Sequence, residues 1–349
     1  MGLMVRIRHF VVLTAVMLSS LQLQAQDHMY SQFFNSPVYL NPALNGQFNS
    51  DLRMNLIYRN QYTSVPGSLT YVSASIDYNI PQFGGGVGLI FTRASEGLAY
   101  LYKNNIAGIY SYSVGSDDFV LSFGLQAGFT NRSINFSKLV FGDQIDPSLG
   151  YIPGSVSSAD PLPFNSKFFF DSGAGINLTA ANFNLGGAMQ HINRPNESFT
   201  GVTAKLPVRT TLHASYRLNI SNDDNMDEDD RSYIIPSVVF YKQANVQSVS
   251  AGMQYKRRSV NAGLWYRSNG SGGSGGSVVL SLIFDIFINK EGGEKVRMGI
   301  SHDVPAGGGL NYGNTSGSTE ASVGYETTLP NRAGEKRKFD GLRRSYDFY

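Results

Sequence analysis

Cysteine is absent from the 349 residues of this chain, which excludes disulfides, cysteine-based zinc sites and thiol nucleophiles. Charge is scarce: Asp, Glu, Lys and Arg make up 15%, against about 25% in an ordinary soluble domain. That charge nearly balances, at a formal +2, so no strong basic excess exists to neutralise a phosphate backbone, and nucleic acid is not expected as a partner. Beyond the extreme N-terminus no apolar run reaches about 18 residues, which excludes helical membrane spans. Tryptophan occurs once, but Tyr (20), Phe (22) and Gly (38) are plentiful. Low charge, abundant Gly and Tyr and no long apolar run together point to strands whose side chains alternate between an apolar and a polar side.

The N-terminus has the three parts of a secretory signal peptide. Arg6 and Arg8 make the first residues positive, Phe10 to Leu18 is apolar, and Leu23-Gln24-Ala25 is a peptidase site. Residues 1–25 are therefore expected to be removed on export from a bacterial cytoplasm; an anchor helix would need a longer apolar stretch.

From Asp51 onward period-two patterning dominates. In 69–80, Thr70, Val72, Ala74, Ile76, Tyr78 and Ile80 oppose Ser73, Ser75, Asp77 and Asn79. The same reading places strands at 51–61, 69–80, 85–94, 102–114, 118–131, 167–180, 182–192, 206–220, 232–242, 247–257, 259–267, 277–289, 294–303 and 318–329. Fourteen antiparallel strands of roughly ten to fourteen residues fit an all-β transmembrane barrel over 51–329, because tilted spans of that length cross a bilayer. A secreted β-sandwich or propeller also alternates, but with strands of about five or six residues.

Short and long connections alternate with the strand count, as in outer-membrane barrels. The long ones include 132–166; 221–231 and the link at Ala244 break the alternation. Both ends of the mature chain are then expected in the periplasm. Tyr58, Tyr62, Tyr78, Tyr100, Tyr110, Tyr112, Tyr241, Tyr255 and Tyr266 stand near strand ends and suit interfacial girdles. Arg209, His213, Arg217, Lys256 and Arg297 fall on lumen parity, giving a polar interior.

Little here suggests catalysis, a metal or a cofactor. His28, His191, His213 and His302 are scattered, the His302-Asp303 pair reads as the start of a loop, and no serine sits in a G-x-S-x-G elbow. The glycine-rich run 270–276 lacks the Lys-Ser/Thr of a phosphate loop and reads as an outer linker. The acidic run 223–230 has oxygen ligands at alternate positions, but an EF-hand would need Gly at Glu228 and Glu at Ile234. It reads as a solvated turn, with a partner-binding patch around Asp227 and Asp229 as the sharper alternative. Residues 330–349 are basic and do not alternate, and are read as a periplasmic tail. The tail is either disordered or a docking peptide with Arg337, Arg343 and Arg344 as contacts.

Residues 26–50 precede the first strand, do not alternate, and serve either as a lead-in or as a plug or brace in the barrel mouth. Here Tyr30-Ser31-Gln32-Phe33, then Leu40-Asn41-Pro42-Ala43-Leu44 with Gly46, then Arg59-Asn60-Gln61-Tyr62 are present. This combination resembles the N-terminal signature of the PorP/SprF family of outer-membrane proteins from Bacteroidota, and the likeness continues more diffusely through Ile76-Asp77 and Gly85-Gly86-Val87-Gly88. The resemblance implies a fatty-acid-transporter-like barrel in outer-membrane lipid and a role in type IX secretion and gliding motility. It also implies contact with periplasmic lipoprotein and ring components, or service to a secreted adhesin. The alternative expectation is an outer-membrane transporter of small hydrophobic molecules.

Overall fold

The computed structural model describes residues 27–64, 67–80, 82, 84–97, 101–116, 118–159, 165–199, 201–221, 231–269, 276–289, 293–306, 316–329 and 345–348. The expected signal peptide, the acidic run 223–230 with Asp227 and Asp229, most of the glycine-rich loop, and Arg337, Arg343 and Arg344 lie outside the described residues.

Fourteen wall strands follow the alternation. They are β1 (Leu52–Gln61), β2 (Leu69–Ile80), β3 (Gly85–Glu96), β4 (Leu101–Gly115), β5 (Phe119–Ile134), β6 (Ser166–Ala180) and β7 (Phe183–Gln190). The series continues with β8 (Arg209–Tyr216), β9 (Ser232–Gln243), β10 (Val246–Arg257), β11 (Val260–Asn269), β12 (Gly276–Asn289), β13 (Glu294–Ala306) and β14 (Ser318–Thr327). Consecutive strands pair antiparallel, and Leu218–Asn219 continues the β8 ladder on β9. β14 returns to β1 in the register Leu52↔Thr327 to Gln61↔Ser318, so the sheet closes. Closure gives every wall strand two partners and leaves no open edge for lipid to meet. No helix among the described residues is long and apolar enough to cross a membrane.

The two sides of the wall differ as the period requires. On β5, Leu125 and Phe129 are 62% and 61% exposed, while Ser122 and Thr130 are buried. A soluble protein does not keep rows of such residues in water, whereas in lipid the outward side is where they belong. Tyr58, Tyr110, Tyr112, Tyr255 and Tyr266 face outward, as girdle residues should. Tyr241 does not: it is buried in the lumen against apolar side chains, because its parity on β9 is the inward one.

Tight turns gather at one end of the barrel. Two of them are closed by residues in the left-handed region, Ala181 (φ 48°) and Arg258 (φ 52°). The opposite end carries the longer connections and, as expected, one tight link at Ala244 (φ 53°). The longest connection, between β5 and β6, contains the short hairpin Ile145–Asp146 with Gly150–Tyr151. The His302-Asp303 pair is not a loop start, because β13 runs on to Ala306 with Asp303 turned inward.

Unlike a soluble barrel, this one is filled by chain from outside the wall. Asp27 stands beside Lys103, His191 and Gln243 at the long-connection end. Gln47 and Ser50 bond to Gly84 and Gly293 at the tight-turn end, where β1 begins and β14 stops. Residues 27–50 thus run the length of the lumen, and Phe348 of the turn Ser345–Phe348 packs among them.

Candidate functional site

Three short helical turns, Phe33–Asn35, Pro37–Leu40 and Pro42–Leu44, fold residues 27–50 compactly enough to pass through the barrel. Prolines open the second and third, where the missing N–H is no loss and φ is already helical. Asn41 caps the third turn, its Oδ1 accepting from Ala43 N at 2.9 Å.

The Tyr30-Ser31-Gln32-Phe33 stretch is bound by charge. Ser31 N and Gln32 N donate to the two carboxylate oxygens of Glu320 at 2.7 and 2.9 Å. Ser31 Oγ donates to Asp303 (2.7 Å to Oδ1) and accepts from Arg59 Nη1 (3.0 Å) and Arg267 Nη2 (2.7 Å). Arg59 also pairs with Glu320, and both guanidinium groups bond to Asp303 Oδ2 at 3.0 Å. Two cations and two carboxylates from β1, β11, β13 and β14 therefore close around one serine hydroxyl, all of them buried. Gln32 and Asn35 extend the network to Ser301 and Ser322. Tyr30 is buried edge-on to His28 and Tyr39, and Phe33 lies with Phe34 against Trp265.

The Asn41-Pro42-Ala43-Leu44-Asn45-Gly46 stretch is held by shape. At Gly124 on β5 an added Cβ would lie 2.2 Å from Ala43 N, and at Gly175 on β6 it would lie 2.0 Å from Asn41 Oδ1. Glycine at these inward positions lets the backbone of the segment rest directly on the wall. Asn41 Nδ2 donates to Ile176 O at 2.9 Å and lies 3.2 Å from His213 Nε2. Gly46 N donates to Asp77, whose carboxylate is held in a two-point grip by Arg53 at 3.0 and 2.7 Å.

Asp27 makes a third attachment on the opposite wall. It accepts from Lys103 Nζ (2.7 Å) and Gln243 Nε2 (3.0 Å) and meets His191 Nε2 at 2.5 Å. His191 Nδ1 reaches Asp171 at 2.9 Å, so the imidazole bridges a carboxylate of the segment and one of the wall. Burial alone would raise the Asp27 carboxyl, but Lys103 and His191 hold it well below its ordinary value. Burial would lower His191, yet Asp27 and Asp171 outweigh it and raise the imidazole above its ordinary value. Nearby, Arg209 donates to Tyr39 Oη at 2.6 Å and lies over its ring. A cavity of about 50 Å³ remains here, lined in part by Asp27, His28, Glu96, Lys103 and Gln126. It has room for water and little more.

Among the described residues no three His, Asp or Glu side chains are arranged so that they could hold a metal ion. His213 and Arg209 occupy the lumen positions expected of them, while His302 faces outward toward Thr319. Sequence reasoning missed Trp265, Arg267, Asp303 and Glu320. The first two share inward parity with Asn261 on β11, which was the available signal.

Residues 22–325 match the family model described as "Type IX secretion system membrane protein PorP/SprF". No curated protein matches the sequence. Among solved structures, the TodX deltaS2S3 mutant monoaromatic hydrocarbon channel is 11% identical, with a TM-score of 0.48 over 84% of this chain and 94% of that one. The CymD monoaromatic hydrocarbon channel is 12% identical (TM-score 0.48; 84% and 93%), and a Pseudomonas aeruginosa FadL homologue is also 12% identical (TM-score 0.44; 83% and 92%).

Proposed function

The chain belongs to the PorP/SprF family of type IX secretion system membrane proteins, and from that premise we propose that it serves as a closed, non-enzymatic scaffold. It binds protein partners of the secretion machine at its two ends and passes nothing through its lumen. The observation carrying this reading is the attachment of residues 27–50 to the surrounding wall through the Asp27–Lys103 ion pair and through hydrogen bonds from Ser31, Gln32 and Gly46 to the buried carboxylates of Glu320, Asp303 and Asp77. Moving them aside would part Asp27 from Lys103 and take hydrogen-bond donors from three buried carboxylates at once, which makes the segment a poor gate for a small hydrophobic solute.

A scaffold needs surfaces. On the outer side, the 135–165 connection carries Leu149 and Val156 at 81% and 94% exposure, the kind of apolar display that a protein partner such as a secreted adhesin covers. On the inner side, Asp227, Asp229, Arg337, Arg343 and Arg344 are the candidate contacts for periplasmic lipoprotein or ring components.

A deletion strain tests the reading. Lost secretion or gliding with unchanged uptake of hydrophobic solutes is the expected result; normal secretion and motility with lost uptake overturns it in favour of transport. Complementation with Leu149→Asp and Val156→Asp together should restore a folded barrel but weaken retention of an outer partner in mild detergent.

A further inference from the structure

We propose that the outer end of β6, residues 166–170, is an open strand edge on which an extended segment of an outer protein partner docks by adding a strand to the barrel wall. Pairing sets it up. β6 pairs with β5 over its whole length, from Phe119↔Ala180 to Ser133↔Ser166, but with β7 only from Ala180↔Phe183 to Gly173↔Gln190. His191, in the left-handed region (φ 58°), ends the β7 ladder, so Ser166 to Ser172 have a strand on one side alone.

The edge lies above the lipid. A tilted strand crosses a bilayer in about 9–11 residues, and β5 has 16. Counted from Phe119, the span ends near Phe129, whose ring meets that of Phe170 at 5.7 Å as residues of an interfacial girdle do. Thr130 to Ser133, paired with Phe169 to Ser166, therefore stand in water, where single pairing is tolerated as it is not in hydrocarbon.

The chain itself fills the first slot of this edge and so shows what fits there. Asn193 Oδ1 accepts from Ser172 N at 3.2 Å and its Nδ2 donates to Phe170 O at 2.7 Å, so one side-chain amide stands where a peptide group of a neighbouring strand would stand. Backbone groups alternate in side along a strand, so those of Phe170 and Phe168 face the same way as those of Ser172. Among the described residues nothing bonds to Phe170 N–H, Phe168 N–H or Phe168 C=O from that side. Phe168 is 73% exposed, and Lys167 has no ion-pair partner among the described residues. The matching occupant is an extended peptide with an apolar side chain next to Phe168 and an acidic one near Lys167. The 135–165 connection, with its exposed Leu149 and Val156, leads directly into Ser166, so the edge borders the outer surface already assigned to a partner. That the occupant is a protein rests on the scaffold reading; that the edge is open does not.

Hydrogen exchange read amide by amide tests this on the full-length protein. In barrel refolded alone, the amides of Phe168 and Phe170 should exchange freely, while those of Phe169 and Asp171, which face β5, are protected. In barrel isolated in mild detergent from secreting cells with its outer partner bound, exchange at Phe168 and Phe170 should slow by about tenfold or more. Protection of both in the lone barrel overturns the open edge. Free exchange of both with a partner bound overturns strand addition and leaves the scaffold standing, whereas isolates that carry no outer protein overturn the scaffold reading and the occupant together. Phe168→Pro removes the outward donor but no bond to β5, and proline suits an edge strand. Compared with Phe168→Leu, which keeps the donor, it should cut retention of the partner about tenfold, the worth of about one hydrogen bond. Unheated samples of both variants should migrate as folded barrels in SDS gels. Equal retention by the two overturns the proposal.

Discussion

Two of the three attachments of the N-terminal segment lie on opposite walls, and they use different chemistry. At Ser31, two guanidinium groups and two carboxylates close on one another around a hydroxyl and two backbone N–H groups, and every charge has its opposite within the set. At Asp27, the cations are Lys103 and a histidine, and the histidine is shared with a second carboxylate, Asp171. Arginine stays charged at any pH a cell meets, while histidine is the side chain whose charge changes near neutrality. The Ser31 attachment is therefore a permanent fixture and the Asp27 attachment a conditional one. With residues 41–46 also seated on the wall, loosening at Asp27 frees only the residues before Ser31.

The largest test of this contrast is Glu320→Gln. It leaves Arg59 and Arg267 with only Asp303 in a buried site, and removing one partner of such a set costs about 3–5 kcal/mol. The urea midpoint of the refolded barrel should fall accordingly. Asp27→Asn should cost less, about 1–2 kcal/mol, because its site is partly open, with side chains about a tenth to a fifth exposed, and solvent screens what is lost. The contrast breaks if Asp27→Asn lowers the midpoint as far as Glu320→Gln does.

How much of this was legible beforehand follows from which patterns are local. Alternation repeats every two residues, so β2 could be read from Ser73, Ser75, Asp77 and Asn79 alone, and the fourteen strands emerged in order. The attachments join positions that sequence separates widely: Ser31 and Glu320 lie 289 residues apart, and nothing near either names the other. The motif residues 30–33 and 41–46 were singled out by resemblance, but an inward Asp303 looks like any polar lumen residue until Arg59 and Arg267 are beside it. Asp303 also stands last in the strand read at 294–303, whereas that strand runs on to Ala306. Tyr241 was assigned by its nearness to a strand end, although its parity already pointed inward. The return of Phe348 to the lumen has no periodic signal, since a single turn leaves no pattern in sequence.

The finest test uses pH. The raised imidazole of His191 gives a contribution that is fully present below the unfolded value of about 6.5 and is lost as pH rises through its higher folded value. The depressed Asp27 carboxyl works in the other sense: its contribution is present above about 3.9 and is lost only as pH falls through its lower folded value. As pH rises past its raised value His191 gives up its proton while the Asp27 group stays ionised, so the attachment should weaken from the histidine side alone. Comparing wild type with His191→Gln should therefore show urea midpoints that differ most below about pH 6.5 and converge as pH rises through the raised His191 value, because glutamine carries no charge to lose. A difference that stays constant or widens would make the histidine a packing residue and remove the distinction between a fixed and a conditional wall. Convergence in a Glu320→Gln background as well would place the pH response at Asp27 independently of the Ser31 attachment.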